Sequence, residues 1–159
     1  MTMRNNWIAL VTLLFTLAST NHGVAADMCP KGATVKFSCH LKESKKIVSL
    51  CQIKGKITYN FGAPGKIELS LDDQKNIELH RTTYATGETL GVRFKSGKYS
   101  YELQNIFGGK PPEDLEMLRV EKDRVQIFSK VCDYSKPTVG EVRFVFGELE
   151  KLGFVINEN

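Results

Sequence analysis

The stretch from Phe37 to Leu71, FSCHLKESKKIVSLCQIKGKITYNFGAPGKIELSL, decides the fold, because it combines three alternating apolar runs, two cysteines and two turn signals. Phe37, Cys39 and Leu41 share one face of a strand with a two-residue period. After the polar stretch Lys42 to Lys46 the chain returns through Ile47, Val48, Leu50, Cys51 and Ile53. That pattern predicts a β-hairpin. Cys39 and Cys51 lie equidistant from a centre near Lys45, which sets them opposite one another, where Cβ atoms approach to roughly 4.5 to 5.5 Å and a cross-strand disulfide can close. Ile57, Tyr59 and Phe61 then share a face, and Ala63-Pro64-Gly65-Lys66 suits a type II turn, since Pro fixes φ and Gly accepts a positive one. Ile67, Leu69 and Leu71 follow in alternation.

Downstream the same grammar continues. A turn at Asp72-Asp73-Gln74 leads into a strand with Ile77 and Leu79 inward; Leu90, Val92 and Phe94 alternate with Gly91, Arg93 and Lys95. Ser96-Gly97 makes a tight turn into KYSYELQNIF, where Tyr99, Tyr101 and Leu103 share a face. Gly108-Gly109-Lys110-Pro111-Pro112 is a loop that forms neither helix nor central strand, and Leu118, Val120, Val125, Ile127 and Val131 give a last hairpin around Lys122-Asp123. Then the period changes. Val142, Val145, Leu149 and Leu152 recur at three and four, Thr138 and Glu141 match a capping box, and Gly153 sits where a helix ends. A helix near 139–152 is expected, with a strand over Val142 to Gly147 as the alternative, because Gly140 and Gly147 weaken a helix by about 1 kcal/mol each. The expected fold is mainly β, an antiparallel barrel or sandwich of about eight strands with one C-terminal helix.

The N-terminal residues 1–26 read as a secretory signal peptide. Arg4 precedes an apolar run from Trp7 to Ala18, a polar stretch follows, and Val24-Ala25-Ala26 offers the small side chains a signal peptidase needs. The run falls short of the roughly 20 apolar residues that span a bilayer. Met28 before Cys29 argues against a lipid-modified cysteine. Cleavage before Asp27 leaves 27–159 as a single β-rich domain, with a periplasmic or secreted location and no transmembrane segment. Its charge is mild: 22 Lys plus Arg against 18 Asp plus Glu, less Arg4, gives +3. No basic stripe concentrates that charge, so nucleic acid is not an expected partner; the densest cluster, Lys42, Lys45 and Lys46, reads as a solvated turn.

Four cysteines in an exported chain imply two disulfides. The hairpin geometry favours Cys39 with Cys51 and leaves Cys29 with Cys132. Zinc is disfavoured, because the cysteines are separated by 9, 11 and 80 residues with no C-x-x-C pair. Neither a metal nor another cofactor is expected. The case for an enzyme is equally thin. His40 and His80 alternate with the apolar set and read as solvent-facing; Asp72 and Asp73 point to opposite sides if extended; no nucleophile elbow, zinc-protease or phosphate-loop motif occurs. The expected class is a binding module without catalytic residues.

The FSC and SLC pair, the run YNFGAPGKIEL and the later SGKYSY resemble a family of small, largely uncharacterised exported bacterial proteins. Its pattern runs F-x-C, S-L/V-C, Y-R-F-G-x-P-G-K-x-E-L and F-x-N-G-x-Y-x-Y. The resemblance covers about Cys29 to Cys132 and implies fold and export; Asn60 stands for the usual arginine and Ser96 for the usual asparagine. Ser96-Gly97-Lys98-Tyr99 also resembles the S-G-x-Y loop that several bacterial periplasmic lysozyme inhibitors present to the lysozyme cleft. That likeness implies an exported binding or inhibitory module of the envelope, with Ser96, Gly97, Lys98 and Tyr99 as binding residues and a lysozyme-type muramidase, or another envelope protein, as partner. The alternatives are an envelope structural or stress protein, or a cell-wall-directed hydrolase.

Overall fold

In a computed structural model, which describes residues 26–108 and 114–158, the alternating runs become ten strands in two sheets, with one α-helix near the C-terminus. The smaller sheet is an antiparallel meander of β1 (Thr34–His40), β2 (Ile47–Ile53), β3 (Lys56–Ala63) and β4 (Lys66–Leu71). The larger runs in the order β10-β5-β6-β7-β8-β9, from β5 (Ile77–Tyr84), β6 (Gly87–Ser96), β7 (Tyr99–Gly108), β8 (Asp114–Lys122), β9 (Val125–Val131) and β10 (Ile156–Glu158). Only β10 is parallel to its neighbour. The sheets do not close into a barrel. Tyr59 of β3 reaches across to Phe94 of β6 and Tyr101 of β7, with ring centroids 5.5 and 5.6 Å apart, so the two sheets share one core.

Ten strands form, rather than about eight, and the one with no counterpart in the alternating runs is β10, a three-residue edge beside β5 after the helix. The helix α1 (Val142–Lys151) packs beside β1 and over β5, β6 and β7, burying Val142, Val145, Phe146 and Leu149. It begins at Val142, not near 139, and the expected capping box does not form. Val139 is bound to Ser38 by two backbone hydrogen bonds of 2.9 Å, which hold it extended, and Gly140 takes φ +66°. The Val142 N–H is instead capped by the Glu116 carboxylate of β8, at 2.7 Å. The other end matches expectation: Gly153 has φ +85°, and Phe154 donates to Leu149 at 3.2 Å, a Schellman closure.

The disulfides correct the expected pairing. Cys29 bonds Cys51, and Cys39 bonds Cys132. The reason is register: β1 pairs Cys39 with Val48 and Cys51 with Val35, so the hairpin is not centred on Lys45. A shift of this kind puts two residues on opposite faces. Cys39 turns into the core between the sheets and reaches Cys132 just after β9, whereas Cys51 turns outward. There Ser38, Ser49 and Asn60 form a cross-strand row, all at most 1% exposed, because the segment Ala26 to Cys29 lies over it. Ser38 donates to the Ala26 carbonyl, Met28 N–H to Ser49 Oγ, and Asn60 Nδ2 to the Met28 carbonyl, at 3.0 to 3.1 Å. The Cys29–Cys51 bridge staples that strap. Residues 1–25, where the signal peptide and most of its cleavage site were read, and the Gly109 to Pro112 part of the predicted loop lie outside the described residues.

Candidate functional site: the Ser96–Tyr99 turn

The β6–β7 hairpin closes in two residues, Gly97 and Lys98, between the paired ends Ser96 and Tyr99. Gly97 has φ +57° and Lys98 does not share it, the pattern of a type II′ turn whose first position glycine fills without strain. Next to it the β8–β9 hairpin turns through Asp123 and Arg124, at φ +50° and +69°. Asp123 N–H donates to the Lys98 carbonyl at 2.9 Å, so the two tips brace each other. Lys122 sets its ammonium 5.5 Å from the Tyr99 ring centre, which in turn lies 6.3 Å from the Tyr101 ring in a stacked arrangement. All four residues of the turn are exposed, and Tyr99, at 36%, is the most covered of the three that carry long or polar side chains. It is a wall residue and not core.

Two clefts flank this turn. On the Ser96–Gly97 side a polar cleft of about 270 Å³ is bordered by Asp72, Asp73, Asn76 and Lys95. Asp73 is committed there to local structure: its carboxylate accepts from Lys75 N–H and Asn76 Nδ2, capping the short 3-10 helix Gln74–Asn76. On the Tyr99 side an apolar cleft of about 240 Å³ opens between the sheets, walled by Tyr59, Phe61, Tyr101 and Phe128. Burial pushes the Tyr101 hydroxyl up, with a further contribution from Tyr99. The turn therefore offers a hydroxyl, an ammonium and an aromatic ring on a backbone set by the Ser96–Tyr99 pairing and the Asp123 brace.

The remaining candidates scatter. His80 is largely covered rather than solvent-facing, with its side chain 13% exposed; its Nε2 lies 3.4 Å from Glu78, which also pairs with Lys95. His40 is half-buried, and burial, then Lys136, lowers its pKa against the opposing Asp133. Among the described residues no serine or thiol hydrogen-bonds either ring. All four cysteines are disulfide-bonded, and among the described residues no three histidine, cysteine or carboxylate groups converge as a metal site. No helix among those residues is long and apolar enough to cross a membrane.

A second polar cleft, of about 290 Å³, lies at the start of α1 and was not anticipated from the sequence. Glu116 and Asn105 face each other there across β8 and β7, 4% and 3% exposed. Burial pushes the Glu116 carboxyl up to about 7; the Val142 N–H opposes this most, Glu141 and Asp114 add to it, and Arg143 opposes it. The signal was present, because Glu116 shares the parity of Leu118 and Val120 and thus occupies a core-facing position in its strand. The chain matches no protein-family model, no curated protein and no solved structure.

Proposed function

We propose that this protein is an exported binding or inhibitory module of the bacterial envelope, a reading that rests on the Ser96-Gly97-Lys98-Tyr99 pattern and the absence of a catalytic constellation in the sequence, and that the Ser96–Tyr99 turn is its contact surface. The observation that carries this reading is the bracing of an exposed polar turn by its neighbour through the Asp123 N–H to Lys98 carbonyl bond. A turn held in one conformation loses little entropy when it docks, and such preorganisation raises affinity without adding contacts. Two disulfides suit an oxidising compartment outside the cytoplasm.

The partner best matched to the turn is a muramidase of the lysozyme type. Ser96 would hydrogen-bond a catalytic carboxylate in the acidic, sugar-binding cleft, Lys98 would supply the opposing charge, and Tyr99 would brace the turn at a sugar subsite. The test is inhibition of lysozymes of several types by the purified mature protein, with Ser96→Ala and Lys98→Ala alongside. Truncating such an anchor should weaken inhibition by about 2 kcal/mol or more, and the Lys98 contribution should shrink as salt rises. Lack of inhibition of every lysozyme would remove the activity, and undiminished inhibition by both variants would remove the turn as its site.

A further inference from the structure

The apolar cleft beside the turn has two properties that narrow its ligand. Its wall is almost wholly hydrocarbon and ring, from Tyr59, Phe61, Tyr99, Tyr101, Ile127 and Phe128, with Ile127 55% exposed. It lies in the gap between the two sheets, and its volume of about 240 Å³ approaches the roughly 300 Å³ at which small-molecule sites begin. It therefore suits one short chain and not a membrane surface.

Charge sets the sign of the ligand's head. Two ammonium groups stand over the aromatic walls. Lys46, 6.0 Å from the Phe61 ring centre, is neutralised by Glu68 at 2.5 Å. Lys122, 5.5 Å from the Tyr99 ring centre, is exposed and has no carboxylate partner among the described residues. The adjoining hairpin tips add Lys98 and Arg124 against one carboxylate, Asp123. An apolar slot with an unneutralised cationic rim complements a molecule with a hydrocarbon body and an anionic head.

We propose that this cleft binds a medium-chain carboxylate as a monomer, its tail lying along the tyrosines and its head at Lys122. The site shares Tyr99 with the proposed inhibitory surface but recognises a different ligand, and it stands whether or not the turn contacts a muramidase. The probe is decanoate, held below its micellar concentration and titrated into the mature protein by calorimetry, with nuclear magnetic resonance following the aromatic side chains. Saturable one-to-one binding is expected, with shifts at Tyr99, Tyr101 and Phe128. Lys122→Glu, at an exposed position, should weaken it by about tenfold or more, and decyltrimethylammonium, with the same tail and the opposite charge, should bind wild type weaker by about the same factor. Ile127→Asp, also exposed, should remove binding while circular dichroism stays unchanged. Absence of saturable decanoate binding, equal binding of the cationic analogue, or full affinity in both variants would overturn the site.

Discussion

Strand β7 carries two sites of opposite character, separated by about 20 Å at the usual rise of a strand. At its start, Lys98 and Tyr99 are exposed, and their geometry comes from a two-residue turn and the neighbouring tip. Toward its end, Asn105 is buried beside Glu116, and their geometry comes from the helix, from β8 and from the chain after β9, since Tyr134 Oη also hydrogen-bonds the Glu116 backbone N–H at 2.6 Å. Removing a side chain at the first site leaves the core untouched. Removing one at the second alters how the helix is held. The difference separates residues free to serve a partner from residues occupied by the fold.

The largest effect should come from the covalent link nearest the buried site. Cys39→Ala with Cys132→Ala opens a loop of 93 residues, which chain entropy values at roughly 4 to 5 kcal/mol, whereas Cys29→Ala with Cys51→Ala opens one of 22 and should cost roughly 3. Urea unfolding of the two double variants measures both, and equal losses would show that loop length is not what separates them.

Glu116 comes next, through pH. Its carboxyl holds its proton up to about pH 7 in the folded protein and releases it near 4.5 when unfolded. Between those values the native state binds more protons, so this group's contribution to stability is full at low pH and is lost as pH rises through the window. Glu116→Gln keeps an oxygen for the Val142 N–H but cannot ionise. The stability of wild type relative to this variant should therefore fall by roughly 2 to 3 kcal/mol between pH 4.5 and 8. Unfolding curves across that range check it, and a difference independent of pH would contradict the buried, proton-binding environment.

Gly140→Ala should cost about 2 kcal/mol, because the position needs a left-handed backbone and a Cβ there would run into the Lys36 carbonyl. Thermal unfolding would show it. At the other extreme Ser96→Ala should change stability by less than about 0.5 kcal/mol, as an exposed turn residue with no side-chain bond among the described residues does.

The same contrast explains what was legible in the sequence. Several features fixed by neighbours in the chain could be read: the alternating strands, the Pro64-Gly65 and Gly97-Lys98 turns, and the Gly153 helix end. Two features failed, one on a local register and one on partners far away. The cysteine pairing turned on whether the first hairpin is centred one way or another, and a small error in register moves a residue to the opposite face. The helix start was misplaced because Val139 pairs with Ser38, about 100 residues earlier, and because the cap comes from Glu116 and not from Thr138. At the candidate site the turn itself was visible, while Lys122, Tyr59 and Phe128, which complete its surroundings, come from three other strands.

The most direct test of this division sets Ser96→Ala and Glu116→Gln side by side, with the inhibition constant against the most sensitive lysozyme and the unfolding free energy measured on the same samples at pH 7. Ser96→Ala should lose about 2 kcal/mol of inhibition with its stability unchanged, and Glu116→Gln should alter stability with inhibition unchanged. Inhibition that follows stability in both variants, or that survives in Ser96→Ala, would contradict it.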